Sequence, residues 1–232
     1  MIPCVSPSYF CLAQDFFPKL RNHLLPHVQA ALQKEAKSRP KLAYNGMACN
    51  TGFSPSLHHD MSNFVFFKNK SIYQHKVIQF NFTPYDMRRR TDIVNPGMSR
   101  CNIMLLADSA DGSDPSDLHH FLYAWVLSAY HANVIYTRPG MEDYEARSFN
   151  FLWVQWYEVN PGSSGWTNSA LHLVCFPLMC DNDSFGFVDL DDVLCRCHIV
   201  PAFAKGQQKE TKRDVTHCTK DSKDYVSYYV GW

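Results

Sequence analysis

The sequence contains no long apolar run. No window in its 232 residues approaches the roughly 20 apolar residues that a membrane-spanning helix needs, so we expect no membrane span. The first residues, MIPCVSPSYFCLAQ, lack a basic segment followed by a long apolar run and make a poor signal peptide. The nine cysteines, an odd number, are therefore expected as free thiols in a reducing intracellular compartment rather than as the bridges of a secreted protein.

Recognisable catalytic motifs are also missing. Glycine totals only 10, and no Gly-rich phosphate loop, Gly-x-Ser-x-Gly turn or His-Glu-x-x-His helix occurs. The sequence thus favours a non-catalytic protein without a cofactor. Lys plus Arg and Asp plus Glu balance at 22 each, so the chain has no global field that attracts nucleic acid. Any nucleic-acid binding has to be local.

Apolar and aromatic residues are plentiful. They make up 46% and 14% of the chain, which suffices for a packed core and favours β-strands. One helix is predicted in AQDFFPKLRNHLLPHVQAALQKEAKSRPK, because four apolar residues recur at helical spacing: Leu20, Leu24, Val28 and Leu32. Pro18 suits its first turn, whereas Pro26 is expected to kink or split the helix.

Strand patterns dominate the remainder. NFVFF and SIYQHKVIQFNF form a plausible hairpin with KNK at its tip, and TPYDMRRRTDIVNPG is expected to be a polar interruption. Short strands follow, of which SFNFLWVQWYEV is the strongest; both its faces are mostly apolar, so it should lie centrally in a closed or covered sheet. A polar tail ends in YVSYYVGW, which could dock back as a strand. Several short strands separated by turn signals suggest a small barrel or a sandwich.

One dense basic cluster stands out, formed by Arg88, Arg89 and Arg90. Lysines and aromatic residues nearby in sequence could complete a phosphate-contacting and base-stacking surface: Lys68, Lys70, Lys76, Tyr73, Phe80, Phe82 and Tyr85. The alternative is a solvated turn whose arginines pair with Asp86 and Asp92.

A zinc site is the second candidate. Structural zinc needs four Cys or His ligands, usually as two closely spaced pairs. The candidate ligands are Cys175, Cys180, Cys195, Cys197 and His198. The alternative is buried thiols, because strand alternation places Cys195, Cys197 and Ile199 on one face. A zinc site requires Cys195 and Cys197 to meet Cys175 or Cys180 across neighbouring strands.

Three segments in order resemble the signature of bromo-adjacent homology domains, which are β-barrels of chromatin proteins. They are FLYAWVLSAYHANVIYT, FNFLWVQWYEV and FGFVDLDDVLCRCHIVPAF, within residues 102–203. The resemblance implies that the first two are neighbouring barrel strands. It implies that the third is an acidic turn followed by the strand that closes the barrel.

A longer resemblance spans nearly the whole chain. Six segments in order look like the C-terminal region of fungal transposon-encoded proteins: DFFPKLRNHLLP, SIYQHKVIQFNFTPYDMRRRTDIVNP, FLYAWVLSAYHANV, FLWVQWY, FGFVDLDDVLCRCHIVPAFAKG and DYVSYYVG. These proteins are the Plavaka-type relatives of the Kyakuja–Dileera–Zisupton transposases. The resemblance implies origin from a mobile element. It does not imply catalysis, because strand transfer in such proteins belongs to an upstream ribonuclease-H-like domain.

The resulting prediction is an α+β, mainly β fold: a small β-barrel like that of bromo-adjacent homology or SH3 domains, with an N-terminal helix and hairpin packed on it. The expected boundaries are 1–96 for the helix and hairpin, 97–204 for the barrel, and 205–232 for a polar tail with an aromatic end.

The predicted function is that of a non-catalytic accessory or binding domain of a transposase-like protein, located in the nucleus, whose partner is chromatin, DNA or another protein. Arg88, Arg89 and Arg90 are the expected phosphate contacts, without a metal site. An aromatic recognition surface is expected at Tyr123, Trp125 and Trp156. The alternative is a small zinc-dependent enzyme or a zinc-stabilised domain that uses Cys and His ligands.

Overall fold

The structure is a computed structural model that divides the chain into two compact units. The first comprises Met1–Tyr73 and His131–Phe149, and the second comprises Gln74–Tyr130 and Asn150–Trp232. The structure describes residues 16–38, 61–82, 90–98, 101–107, 121–137, 144–159, 171–178, 181–207 and 225–231.

The described residues contain one α-helix and eleven β-strands, which confirms the α+β, mainly β prediction. Helix α1 spans Phe16–Ser38. The strands are β1 (Val65–His75), β2 (Ile78–Phe82), β3 (Arg90–Val94), β4 (Asn102–Leu106), β5 (Phe121–Tyr136), β6 (Arg147–Val159), β7 (His172–Cys175), β8 (Phe185–Asp189), β9 (Val193–Arg196), β10 (His198–Pro201) and β11 (Tyr228–Gly231). Within this described part, no helix is both long and apolar enough to cross a membrane.

Helix α1 belongs to the first unit and buries one face. Its buried side chains are Leu20, Leu24, Leu25 and Val28. They recur every three to four residues, as the helical period requires, and burying a Leu or Val side chain contributes about 1.5–3 kcal/mol. Pro26 lies inside the helix without splitting it. Pro26 and Asn22 are both exposed, so water can reach the Asn22 carbonyl that the proline leaves without an N–H partner.

Strand β1 is one continuous strand that pairs with β5, and the predicted hairpin with KNK at its tip is wrong. Asn69 and Lys70 have positive φ values of 58° and 52°, so they interrupt the extended conformation as a β-bulge does. The strand resumes after them instead of turning back. Val65 is buried before the interruption and Ile72 after it, so the inward-facing positions change from odd to even.

The polar interruption predicted at TPYDMRRRTDIVNPG is also wrong in part, because Arg90–Val94 forms strand β3. β3 pairs antiparallel with β2, from Ile78 opposite Val94 to Phe82 opposite Arg90. Most of the β3 side chains are exposed, and only the last one, Val94, is buried. The apolar alternation that identifies a strand in sequence is therefore missing from this short element.

Strand β6 is the centre of the second unit, as its sequence predicts. The strand order there is β10-β11-β7-β6-β5-β4-β9, and β8 also pairs with β6. β8 pairs antiparallel with Phe151–Gln155, and β7 pairs antiparallel with Glu158 and Val159. Both faces of β6 are covered. Leu152 and Val154 belong to a first apolar cluster, formed by Cys101 and buried residues of β2 to β6, β8 and β9. Tyr157 belongs to a second cluster, whose buried members are Met104, Tyr123, Tyr157, Val174, Cys197, Tyr228 and Val230.

The C-terminal segments supply both ends of this strand order. β9 pairs with β4, β10 pairs with β11, and β11 in turn pairs antiparallel with β7. The aromatic end of the chain thus docks as a strand, which confirms that expectation. Leu190–Asp192 is a short 3-10 turn before β9, as the acidic turn predicts. The described strands do not form a closed barrel, because β9 and β10 end the strand order instead of closing it as one strand.

Gly186 in β8 tests the packing of the first cluster. A Cβ at this position would meet the Trp156 Nε1 atom at 2.5 Å, so alanine forces the indole to move. We expect Gly186→Ala to lower the free energy of unfolding by about 1–3 kcal/mol, the usual cost of overpacking. Denaturant unfolding measures the change.

Gly231→Ala is the matched control, because its nearest contact would be an ordinary 3.8 Å. Equal unfolding midpoints for the two variants would contradict the Trp156 packing.

Candidate nucleic-acid interface

The interruption of β1 places aromatic and basic side chains on one exposed surface of the first unit. Phe66, Lys68, Lys70 and Tyr73 are all exposed, and we call these four residues the exposed strip. A regular strand would place Tyr73 on the face opposite Phe66 and Lys68, because successive side chains alternate. The extra residue at Asn69–Lys70 moves Tyr73 to the exposed face and Ile72 to the buried one.

Lys70 adopts a conformation that is costly for its residue type. Asn is among the residues that tolerate a positive φ, but for Lys the left-handed region costs about 1–2 kcal/mol relative to glycine. The Ser71 hydroxyl donates a hydrogen bond of 3.0 Å to the Asn69 carbonyl, which supports the local geometry. A strained lysine on an exposed edge is an observation that motivates a functional hypothesis.

The charge around the exposed strip is positive. Residues 61–82 contain three lysines and no Asp or Glu. Neither Lys68 nor Lys70 has a salt-bridge partner within the described ranges. Arg147 of the same unit does have an acidic partner: Glu35 accepts hydrogen bonds from its Nε at 2.8 Å and its Nη2 at 2.5 Å. Lys68 and Lys70 are therefore exposed cations of this unit that can meet a phosphate, whereas Arg147 is engaged by Glu35.

Tyr73 carries a partly covered aromatic face. Its ring stacks on the His131 imidazole of β5 with centroids 4.7 Å apart and planes within 10°. The Tyr73 side chain nevertheless remains 40% exposed, so a further planar group can extend the stack. The sequence pointed to Tyr73 but not to His131, which lies 58 positions further along the chain and carries no motif.

The predicted arginine cluster is only partly described. Arg88 and Arg89 lie outside the described residues. Arg90 is exposed at the start of β3, opposite Phe82. The Asp92 carboxylate accepts a hydrogen bond of 2.8 Å from the Arg196 backbone N–H, so its Oδ2 atom helps to hold β3 against β9. Of the aromatic residues proposed beside the cluster, Phe80 is buried in the first apolar cluster.

The three aromatic residues predicted as a recognition surface do not share one exposed face. Tyr123 is fully buried in the second cluster, and burial, followed by the nearby Cys197 and Cys195, raises the pKa of its phenol to about 12. Trp156 packs on the first cluster, and Trp125 packs on both. Trp125 and Trp156 are half-buried and retain exposed surface, whereas Tyr123 is part of the core.

Among the described cysteines, Cys101 and Cys197 are buried and Cys175 and Cys195 are partly buried, all as free thiols. Cys197 belongs to the second cluster, and Cys195, Ile199 and the neighbouring Leu194 pack against it, so the predicted shared face stays a prediction. Among the described residues, no cysteine lies close enough to two other His, Cys, Asp or Glu residues to hold an ion with them. Cys180 lies outside the described residues.

The thiols of Cys195 and Cys197 lie in environments that favour their protonated form. Burial, assisted by Cys195, raises the pKa of the Cys197 thiol from 9.0 to about 12. Burial and the nearby Asp92 also raise the pKa of Cys195. In the metal-free chain both thiols therefore hold their protons to a higher pH than an ordinary cysteine does.

Comparisons of the chain with protein families, curated proteins and solved structures give no match.

The buried Cys197 thiol predicts a pH-dependent stability. The folded chain keeps this thiol protonated up to a pKa of about 12, whereas the unfolded chain releases the proton near 9.0. The stabilisation is therefore complete below pH 9.0 and is lost as the pH rises toward about 12. Denaturant unfolding of Cys197→Ala should show a shallower alkaline loss of stability than the natural chain. Parallel curves for the two proteins would contradict the burial of this thiol.

Proposed function

We propose that the chain is a non-catalytic binding domain of a transposase-like protein and that its partner is single-stranded DNA, held on the exposed strip of β1. The observation that carries the proposal is Lys70, held at a positive φ beside Lys68 with no acidic residue in the surrounding segment. Glycine would be less strained than lysine at position 70. A phosphate contact made by the Lys70 ammonium group explains why the position carries a lysine.

Electrostatics supports a local contact with phosphates. The chain as a whole has a formal net charge of +0, so long-range attraction to DNA is weak. Lys68 and Lys70, which have no salt-bridge partner among the described residues, provide the attraction on the strip, where displaced counterions favour binding. Arg88, Arg89 and Arg90 are proposed as further phosphate contacts.

The aromatic residues of the strip favour an unpaired strand over a duplex. Phe66 is 48% exposed and Tyr73 is 40% exposed, at the two ends of the strip. The seven-residue separation corresponds to less than the roughly 23 Å of a fully extended strand, because Asn69 and Lys70 are not extended, and it still accommodates several nucleotides. Stacking of a base on an aromatic ring contributes about 1–3 kcal/mol and requires a base that is not stacked in a duplex.

The ordered resemblance to Plavaka-type proteins supports an accessory role. In that family the strand-transfer domain lies upstream, which leaves binding as the role of this region. The resemblance to bromo-adjacent homology domains supports a chromatin setting and therefore a nuclear location. We propose that the shared segments are related to those domains, with an open sheet in place of their closed barrel.

A bulge and lysines also have a purely structural use, because they keep an edge strand from pairing with another chain. β5 is the strand that pairs with β1 within the described part of the sheet, so this use applies here. Measuring DNA binding distinguishes edge protection from the proposed function, because edge protection requires no affinity for DNA.

The proposal predicts salt-sensitive binding that depends on the strip. Lys68→Ala and Lys70→Ala should each weaken the binding of a labelled single-stranded oligonucleotide and lower the slope of log affinity against log salt by about 0.7. Fluorescence anisotropy across a salt series measures both effects. The paired change Lys34→Ala and Lys37→Ala, at exposed positions of α1, is the control and should leave the affinity unchanged.

Lys70→Gly separates binding from folding. It should stabilise the chain by about 1 kcal/mol, because glycine adopts a positive φ without strain, and still weaken DNA binding. The proposal fails if the oligonucleotide does not bind, if duplex DNA binds more tightly, or if the control variants lose as much affinity as the strip variants.

A further inference from the structure

Helix α1 carries two histidines one turn apart. His23 and His27 are both half-buried, and their rings lie with centroids 5.1 Å apart and planes tilted by 51°. A ring nitrogen of each histidine lies within 4.8 Å of one of the other. Histidines at positions i and i+4 lie on the same helix face, which is the spacing at which helices present two nitrogen ligands to one metal ion.

The ring separation matches that of a shared ion. With metal–nitrogen bonds of about 2.1 Å and tetrahedral angles, the centres of two ligating rings lie about 5 Å apart. The observed 5.1 Å therefore requires rotation of the side chains but no change in the helix backbone. Imidazole nitrogen is a preferred ligand for Zn²⁺, Cu²⁺ and Ni²⁺ and a poor one for Mg²⁺ and Ca²⁺.

The same turn of the helix lacks one backbone hydrogen bond. Pro26 lies between the two histidines and removes the hydrogen bond that would join its N–H to the Asn22 carbonyl. An ion held by His23 and His27 would bridge the turn that lacks this bond. A metal ion bound at this position would therefore stabilise the turn that contains the proline, which a histidine pair elsewhere in the helix would not do.

We propose that His23 and His27 form a binding site for one divalent transition-metal ion of the Zn²⁺ type, and that the bound ion cross-links the helical turn containing Pro26. Two protein ligands leave coordination positions open, so the site is labile and differs from the closed four-ligand sites of structural zinc. The cysteines of the second unit are not ligands of this site. The site is independent of the proposed binding of DNA.

Cobalt titration of the reduced full chain tests the site and identifies its ligands. Co²⁺ replaces Zn²⁺ and gives visible absorption bands when nitrogen-bound, with a strong near-ultraviolet charge-transfer band only when thiolates bind. We expect one Co²⁺ per chain without the thiolate band. Affinity should fall roughly tenfold or more in His23→Ala and in His27→Ala, because one imidazole cannot chelate. His198→Ala, at an exposed histidine of β10, should leave it unchanged.

Thermal unfolding supplies a readout that does not depend on the spectrum. Zn²⁺ should raise the melting temperature of the natural chain and of His198→Ala but not of the two helix variants, since an ion that binds only the folded state stabilises it. Circular dichroism confirms that the variants retain their helix before titration. A thiolate band, equal affinity in His23→Ala, or no metal-dependent stabilisation would each overturn the proposal.

Discussion

Strand β6 has to bury both of its faces, and the second unit is arranged around that constraint. Its side chains contribute Leu152 and Val154 to one apolar cluster and Tyr157 to another. An apolar strand left uncovered on either side would expose a large hydrophobic surface, so both faces require a layer. Residues of β2, β3, β8 and β9 contribute to the first cluster, and residues of β7, β10 and β11 to the second. The burial of β6 also has an unfavourable consequence. The fully buried Gln155 amide has no hydrogen-bond partner within the described part of the chain, and each such buried polar group lowers the stability by about 1–3 kcal/mol.

The first unit obtains its distinctive surface from a local departure from strand geometry. Asn69 and Lys70 interrupt β1, which brings Ile72 inward and leaves Tyr73 on the side of Phe66 and Lys68. A chain with no net charge acquires in this way a short basic and aromatic surface. The helix of the same unit has its own irregularity in Pro26, and His23 and His27 lie on either side of it. Both proposals therefore begin from positions where the backbone departs from its regular form.

Apolar periodicity was a sound guide wherever the core determines the structure. It located α1 and the central strand β6, because burial imposes a regular pattern on sequence. It failed at β3, whose five residues expose most of their side chains and carry polar groups. It failed at KNK too, where a tip and a bulge share the same residue types and only the surrounding strand pairing distinguishes them.

The candidate interface was predictable in part. The local sequence identified Lys68, Lys70 and Tyr73 as candidate phosphate-contacting and base-stacking residues. Their common exposed face depends on the register shift within β1, which no local pattern encodes. The stack of Tyr73 on His131 depends on a contact between distant parts of the chain. The three arginines have a sequence signal as strong as that of the lysines, but only Arg90 has a described position.

Photochemical cross-linking of the full chain to single-stranded DNA, followed by mass-spectrometric identification of the modified residues, tests the account most directly. If the exposed strip is the interface, the cross-links fall on Tyr73 and Phe66 and decrease with added salt. Cross-links concentrated on Trp125 and Trp156, with none on β1, would contradict it.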